Sequence, residues 1–120
     1  MSYLEYAQEL YDMIEEGKLM DAFEKFYHED VVMIEATGEV CEGKEANRER
    51  EEKFLSGVKE FHGMEVSGIT SNEEEGITMV ESLMDLTMQD GTRMKMEEVA
   101  VQHWEDNLII RERFYFNPGK

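Results

Sequence analysis

The chain has 120 residues, which is enough for one domain but too few for two. Its 29 acidic and 12 basic residues give a formal net charge of −17, and no basic cluster is present that would bind nucleic acid or an anionic membrane. The single cysteine, Cys41, excludes an intrachain disulfide and is typical of a reducing compartment. Neither a leader sequence nor an apolar run of roughly 20 residues is present, so we expect a soluble cytoplasmic protein with one domain over residues 1–120.

Two amphipathic helices are predicted at the start of the chain. Apolar residues recur at spacings of three and four over residues 3–16, and the same pattern returns over residues 18–28. Ser2 and Glu5 have the spacing of a capping box, in which each side chain satisfies a backbone N–H of the other residue. Gly17 fits the left-handed position that ends a helix, so the two helices are expected to form a hairpin with a very short link.

The middle of the chain predicts a short strand, a third helix and a longer strand. The segment 31–34 is rich in β-formers, and Gly43 introduces a helix over residues 44–57. The apolar face of this helix is thin, so we expect it to lie on the surface with most of its circumference in solvent. A strand follows at 60–70, and the charge run at 73–76 is interpreted as a solvated loop.

The segment from Ile77 to Phe116 predicts an antiparallel meander of three long strands, because two turn signals divide it. Asp90-Gly91 suits a two-residue type I′ turn, since both residues tolerate φ > 0. For Asp106-Asn107 we favour a three-residue loop that begins at Glu105 and ends with Asn107 in the left-handed conformation. A two-residue loop is the alternative and would turn the last strand over. Asn117-Pro118-Gly119 is expected to end this strand.

The predicted register gives the sheet two faces that are each half apolar. The turn at Asp90-Gly91 places Leu83 beside Glu98, and the three-residue loop that ends at Asn107 places Ala100 beside Glu112. One face then carries Glu81, Leu83, Asp85, Met94, Met96, Glu98, Ala100, Gln102, Trp104, Ile110, Glu112, Phe114 and Phe116. The other carries Val80, Met84, Leu86, Met88, Lys95, Glu97, Val99, Val101, His103, Ile109, Arg111, Arg113 and Tyr115. The helices suffice to cover one face, so we expect a second copy of the chain to cover the other in a homodimer.

The order of elements, with helices first and a long antiparallel sheet last, is the α+β pattern. With the segment Tyr27–Glu35, the Gly43 that opens a helix, and the segment Trp104–Ile110, it resembles the SnoaL-like branch of the nuclear transport factor 2-like superfamily. Ketosteroid isomerase and scytalone dehydratase belong to that superfamily. The resemblance covers nearly the whole chain and implies a cone, or cystatin-like roll. In it a curved antiparallel sheet wraps three helices from the N-terminal half, encloses a mostly apolar pocket, and often forms a dimer through its outer face.

The resemblance also implies roles for single residues. Glu35 falls where ketosteroid isomerases keep the carboxylate that moves the proton, and Tyr11 falls near their oxyanion-binding tyrosine. Their second oxyanion donor is a protonated aspartate, and the matching position here is Ala100. The His–Asp pair of the dehydratase has no match.

Carboxylates on the predicted inner face are the main chemical signal. Carboxyls that share an apolar cavity are expected to have raised pKa values, because burial and like charge both disfavour ionisation. A pKa nearer neutral makes a carboxyl a usable general base or acid. The candidate catalytic residues are Glu35, Tyr11, Glu98 and Glu112. The candidate ligand-binding residues are Met33, Glu81, Leu83, Asp85, Met96, Ala100, Gln102, Trp104, Phe114 and Phe116. The structural alternative is that several of these carboxylates reach the rim, or bond to backbone and tyrosine hydroxyls.

No pattern in the sequence indicates a cofactor or a metal. His28, His62 and His103 are far apart, and Cys41 has no adjacent basic residue that would activate its thiol. The sequence therefore predicts a cofactor-free isomerase, cyclase or dehydratase that acts on a small apolar or cationic molecule. The alternatives are a non-catalytic binding module with the same pocket, and an association domain whose outer sheet face is the functional surface.

Overall fold

The computed structural model describes residues 1–116, which form three helices and six strands. In chain order these are α1 (Tyr3–Glu15), α2 (Leu19–Phe26), β1 (Tyr27–Ile34), β2 (Val40–Glu42), α3 (Lys44–Ser56), β3 (Val58–Asn72), β4 (Ile77–Met88), β5 (Arg93–Glu105) and β6 (Leu108–Phe116). The strands make one sheet in the order β2-β1-β6-β5-β4-β3, in which β1 and β6 run parallel and all other neighbours are antiparallel. The predicted α+β cone is confirmed, although its sheet is mixed. The predicted end at Asn117-Pro118-Gly119 lies outside the described residues.

The core lies between the helices and the inner face of the curved sheet. Apolar residues at spacings of three and four turn one side of α1 and α2 inward, as the sequence predicts. Its buried residues from the helices and the sheet include Leu10, Phe23, Phe26, Val31, Met33, Val80, Trp104 and Ile109. None of the three helices within residues 1–116 is long and apolar enough to cross a membrane.

The start of α1 is capped twice. The capping box is confirmed, since Ser2 Oγ accepts from the backbone N–H of Glu5 and the Glu5 carboxylate accepts from that of Ser2. In addition, the Glu73 carboxylate accepts from the N–H groups of Tyr3 at 2.8 Å and Leu4 at 3.0 Å. A carboxylate is favoured at this position because the helix N-terminus carries partial positive charge. The three glutamates of the 73–76 run are exposed, as predicted, and Glu73 in addition caps α1.

The hairpin between β4 and β5 has a three-residue loop, so the predicted two-residue turn is wrong. The Met88 N–H donates to the carbonyl of Thr92, and only Gly91 in the loop has positive φ, at 90°. The Asp90 carboxylate accepts from the N–H of Thr92 at 2.9 Å, a local bond that Asp commonly makes in turns. Because the side-chain period of a strand is two, this one-residue change turns β4 over.

The turned strand changes which side chains of β4 face the core. Val80 lies opposite Ala100 and Ser82 lies opposite Glu98, so Ser82 takes the place predicted for Leu83. Thr78, Val80, Ser82, Met84 and Leu86 therefore face inward. Glu81, Leu83 and Asp85, which the sequence placed on the pocket face, lie on the outer face.

The hairpin between β5 and β6 also differs from the favoured prediction, yet the inner face is nearly unchanged. Asp106 and Asn107 both have positive φ, at 51° and 68°, in a two-residue loop. A bulge at Ile110 then adds a second shift, so the pairing beyond it differs from the predicted one by two residues rather than one. Gln102 faces Glu112 and Ala100 faces Phe114. Their inward orientation is as predicted, whereas Ile109 rather than Ile110 faces the core beside Trp104.

Candidate functional site

Two carboxyls of the sheet meet two tyrosines inside the cone. Glu98 of β5 and Glu112 of β6 point inward, Tyr11 comes from the buried face of α1, and Tyr27 stands at the start of β1. Glu112 is 1% exposed. The Tyr27 hydroxyl donates to its Oε1 at 2.5 Å, and the Gln102 amide Nε2 donates to its Oε2 at 2.8 Å. Both oxygens of Glu112 therefore accept hydrogen bonds.

A chain of buried hydrogen bonds sets the orientation of Gln102. The Trp104 indole can only donate, and it donates to Thr78 Oγ1 at 2.8 Å. The Thr78 hydroxyl then donates to Gln102 Oε1 at 2.7 Å. The amide group of Gln102 must consequently turn its N–H toward Glu112. The donor and acceptor roles in all three hydrogen bonds follow from the Trp104 indole, which cannot accept.

Burial governs the titration of the two inward carboxyls. It raises the pKa of Glu112 to about 7, against the lowering effect of the bonds from Tyr27 and Gln102. It also raises the pKa of Glu98 to about 7, and the charge of Glu51 acts in the same direction. The pKa of Tyr11 is well above its usual value because of burial and of the charges of Glu112 and Glu98. The interior is thus a place where negative charge is costly.

Helix α3 adds charged groups that the sequence interpretation missed. Glu51 faces the interior, and burial raises its pKa although Arg50 acts in the opposite direction. Arg50 forms an ion pair with Glu35, lies 3.6 Å from Glu51, and donates to Asn47 at 3.1 Å. Only Lys44 and Asn47 of α3 are buried, so the predicted surface helix is confirmed, but its inward side carries polar groups that the prediction did not include. Lys44, Asn47 and Glu51 fall at spacings of three and four, and this polar stripe was the available signal.

A cavity of about 210 Å³ lies among α1, α2, α3, β3 and β4, and its lining is mostly apolar with Lys18 and Asp21 among it. Its lining residues include Ile14, Leu19, Leu55, Phe61, Met84 and Leu86. Three elements that supply a polar group to the interior, α1, α3 and β4, also supply a residue to the cavity. Ile14 follows Tyr11 by one helical turn, Leu55 follows Glu51 by one turn, and Met84 is the next inward residue after Ser82. The cavity is therefore adjacent in sequence position to Tyr11, Glu51 and Ser82, although none of the inward carboxyls is among its lining residues.

The structure brings some of the predicted residues together and separates others. Tyr11, Met33, Met96, Glu98, Ala100, Gln102, Glu112, Phe114 and Phe116 share the inner side of the cone. Glu81 and Asp85 are engaged on the outer face, by Ser67 and Arg93 respectively. Trp104 packs against Tyr3, Tyr6 and Phe26 under α1 and belongs to the core. Within residues 1–116, no group of three or more His, Cys, Asp or Glu side chains is arranged to hold a metal ion.

Comparisons with known proteins agree with this architecture. A sequence profile of the SnoaL-like domain matches residues 1–116. No sequence among curated proteins matches the chain. The fold is shared by a candidate SnoaL-like polyketide cyclase from Mesorhizobium loti, with 28% identity, a TM-score of 0.82, and coverage of 96% of this chain and 99% of that one.

Two more distant structures show the same fold. A candidate polyketide cyclase from Pseudomonas putida has 19% identity and a TM-score of 0.84, and the match covers 98% of this chain and 93% of that one. A ketosteroid isomerase-like protein from Catenulispora acidiphila, solved in complex with trimethylamine, has 10% identity and a TM-score of 0.69. That match covers 82% of this chain and 75% of the other.

Proposed function

Because this chain belongs to the SnoaL-like domain family, we propose that it binds a small, largely apolar molecule inside the cone and transfers a proton on it without a cofactor. The observation that carries the proposal is the pair of carboxyls of Glu98 and Glu112, which face the interior with pKa values of about 7. Near neutral pH each exists in protonated and charged forms, as general acid–base catalysis requires. The reaction class is isomerisation, cyclisation or dehydration.

The two carboxyls have different surroundings, and we assign them different roles. Glu112 is held by donors on both oxygens, so its position is fixed. Within the described part of the chain, no hydrogen bond or ion pair reaches the carboxylate of Glu98, and burial is the main cause of its raised pKa. Glu98 is therefore the proposed acid or base that contacts the ligand. Glu112 and Tyr11 are the proposed neighbours that orient the ligand. Glu35, the base implied by the family resemblance, forms an ion pair with Arg50 instead.

Proton exchange on an enolisable ketone tests this assignment. Wild-type protein is incubated in heavy water with a panel of cyclic ketones that begins with β-tetralone, and deuterium uptake is followed by proton NMR. We expect exchange above the buffer rate, and we expect Glu98→Gln to abolish it. Glu105→Gln is the matched control, because Glu105 lies exposed on the same strand. Exchange by Glu98→Gln at the wild-type rate would contradict the proposed role.

Ligand binding without catalysis is the second candidate function. The Catenulispora acidiphila protein is in complex with trimethylamine, so a protein of this fold binds an amine. The deuterium-uptake experiment also distinguishes these two candidate functions. A binder shifts the NMR signals of the inward residues when the ketone or an amine is added, but does not accelerate deuterium uptake.

The outer face of the sheet supports a separate proposal, which is association into a homodimer. Arg111 and Arg113 lie on this face of β6, whereas Glu81 and Glu97 lie on it in β4 and β5. A twofold axis through the face would bring the basic part of one copy onto the acidic part of the other. Tyr115, half exposed between them, is available for contact, and the Arg113 Nε is buried without a partner among residues 1–116.

Sedimentation velocity tests the homodimer. We expect the wild-type chain to sediment as a dimer at micromolar concentration, and Arg113→Glu to shift it to a monomer through like-charge repulsion. Lys59→Glu, at an exposed site on β3, serves as the control and is expected to leave the dimer intact. A monomeric wild-type chain would contradict this proposal without touching the one about the interior.

A further inference from the structure

The interior of the cone holds more negative groups than positive ones, beside a buried hydroxyl that has no partner. From these two observations we infer that the ligand of this interior carries a protonated amine. The inference rests on the proposed function, that the interior binds a small molecule, and adds the charge of that molecule.

The charge count uses every element that packs against the interior. The titratable groups that face it are Tyr11 of α1, Tyr27 of β1, Glu35 after β1, Arg50 and Glu51 of α3, Glu98 of β5 and Glu112 of β6. The buried residues of α2 are apolar, and β4 contributes only hydroxyls among its polar inward groups. Among residues 1–116 this leaves four carboxyls against two cations, the Arg50 guanidinium and the buried Lys44 ammonium. Glu35 engages the guanidinium, and Lys44 donates to the Glu24 carbonyl and lies 3.7 Å from the Glu24 carboxylate.

Ser82 gives the independent sign of a ligand. Its side chain is 2% exposed, it lies opposite Glu98 in the β4–β5 register, and its Oγ has no hydrogen-bond partner within the described residues. Buried hydroxyls are normally satisfied, because an unmade hydrogen bond costs about 1–3 kcal/mol. A hydroxyl oxygen and a carboxylate on neighbouring strands offer two adjacent acceptors. An ammonium group, which only donates, is the complement of that pair.

A cation fits this interior better than a neutral group for an electrostatic reason. In the free protein, burial favours the protonated form of Glu98 and Glu112. A bound ammonium would neutralise a carboxylate in place of its proton, so ligand and proton compete for the same site. The apolar body of the ligand would extend toward the cavity lined by Ile14, Leu55 and Met84, which lies one inward position beyond Ser82 on β4. An anionic ligand is disfavoured by the same charges.

Benzylamine and benzyl alcohol, compared by isothermal titration calorimetry, test the inference. Benzylamine stays protonated from pH 5.5 to 8, whereas the alcohol has the same apolar body without the charge. With the pKa of Glu98 at about 7, we expect benzylamine to bind about tenfold or more tightly at pH 8 than at pH 5.5. At pH 6.5 its binding should release protons, which the dependence of the heat on the buffer reports. The affinity for benzyl alcohol should not rise with pH.

Three variants localise the effect. Glu98→Gln is expected to weaken benzylamine binding at pH 8 by about tenfold and to remove most of its pH dependence. Ser82→Ala is expected to weaken it severalfold, because one acceptor is lost. Glu105→Gln, exposed on the same strand, should bind like wild type. Near-ultraviolet circular dichroism confirms that each variant keeps the fold.

The outcomes separate this inference from the function on which it rests. If benzyl alcohol binds as tightly as benzylamine at pH 8, the inference falls and the proposed binding function stands. If neither probe binds, both fall. If Glu105→Gln weakens benzylamine as much as Glu98→Gln does, the amine responds to general surface charge, and the inference is overturned.

Discussion

Replacing Glu98 by Gln should stabilise the protein at alkaline pH. The folded-state pKa of about 7 exceeds the ordinary glutamate value of 4.5, so between these two values the folded chain holds a proton that the unfolded chain has lost. Stability therefore falls as pH rises from 4.5 to about 7, and the full penalty applies above 7. A difference of about 2.5 pKa units corresponds to about 3 kcal/mol. Gln keeps the shape without the charge and removes this penalty.

Urea unfolding followed by the fluorescence of Trp104 measures the effect, since Trp104 is the single tryptophan and is buried. At pH 8, Glu98→Gln should raise the free energy of unfolding by up to about 3 kcal/mol, and at pH 4.5 by much less. The exposed control Glu105→Gln should stay within about 0.5 kcal/mol of wild type at both pH values. A Glu98→Gln variant that is no more stable than wild type at pH 8 would refute the reasoning. So would one whose gain is equal at both pH values.

Three further substitutions test other contacts. Glu73→Gln should speed amide exchange at the first two N–H groups of α1, because an amide has one acceptor oxygen for two donors; unchanged exchange would exclude the cap. Gln102→Leu should raise the pKa of Glu112 above about 7 in a carbon-13 NMR titration, since it removes a donor that favours the charged form. An unchanged pKa would mean that this bond is unimportant. Gly76→Ala should cost about 1–3 kcal/mol in urea unfolding, because Gly76 has φ of 68° and an added Cβ would lie 3.0 Å from the carbonyl of Trp104; a neutral change would contradict this.

The order of helices and strands was predictable from the residues, but which side chains of β4 face the core was not. Asp-Gly suits both a two-residue turn, in which both residues have φ > 0, and a three-residue loop, in which only the glycine does. The bond from Asp90 to the N–H of Thr92 accompanies the second form. As a result, Ser82 faces inward and Leu83 faces outward. The residue opposite Glu98 is therefore a serine rather than the predicted leucine.

The inward orientation of Glu112, Phe114 and Phe116 on β6 was predicted correctly, but for an incomplete reason. The loop at Asp106-Asn107 is one residue shorter than expected, and the bulge at Ile110 restores the parity. Neither glycine nor proline marks this bulge, so the local sequence carries no signal for it. Because the bulge restores the parity, Glu112 still points inward, although it lies opposite Gln102 rather than opposite Ala100 as predicted.

Helix α3 shows the limit of a search for hydrophobic patterns. Its apolar residues predict a solvated helix, yet its polar residues turn inward and bond to one another. Asn47 donates to the carbonyls of Cys41 and Gly43, and Arg50 bridges toward Glu35 and Glu51. Burial of polar groups depends on partners that are distant in sequence. Such partners become visible only when the strands and α3 are placed together.

The titration of the Glu98 carboxyl is the most direct test of the account, because every proposal about the interior depends on it. Carbon-13 NMR of the glutamate side-chain carboxyls, assigned with Glu98→Gln, gives its pKa in the folded protein. We expect a pKa near 7 in the free protein and a lower pKa when benzylamine is bound. A pKa at the ordinary glutamate value would mean that the carboxyl is well solvated, and it would contradict both the proposed acid–base role and the inferred amine site.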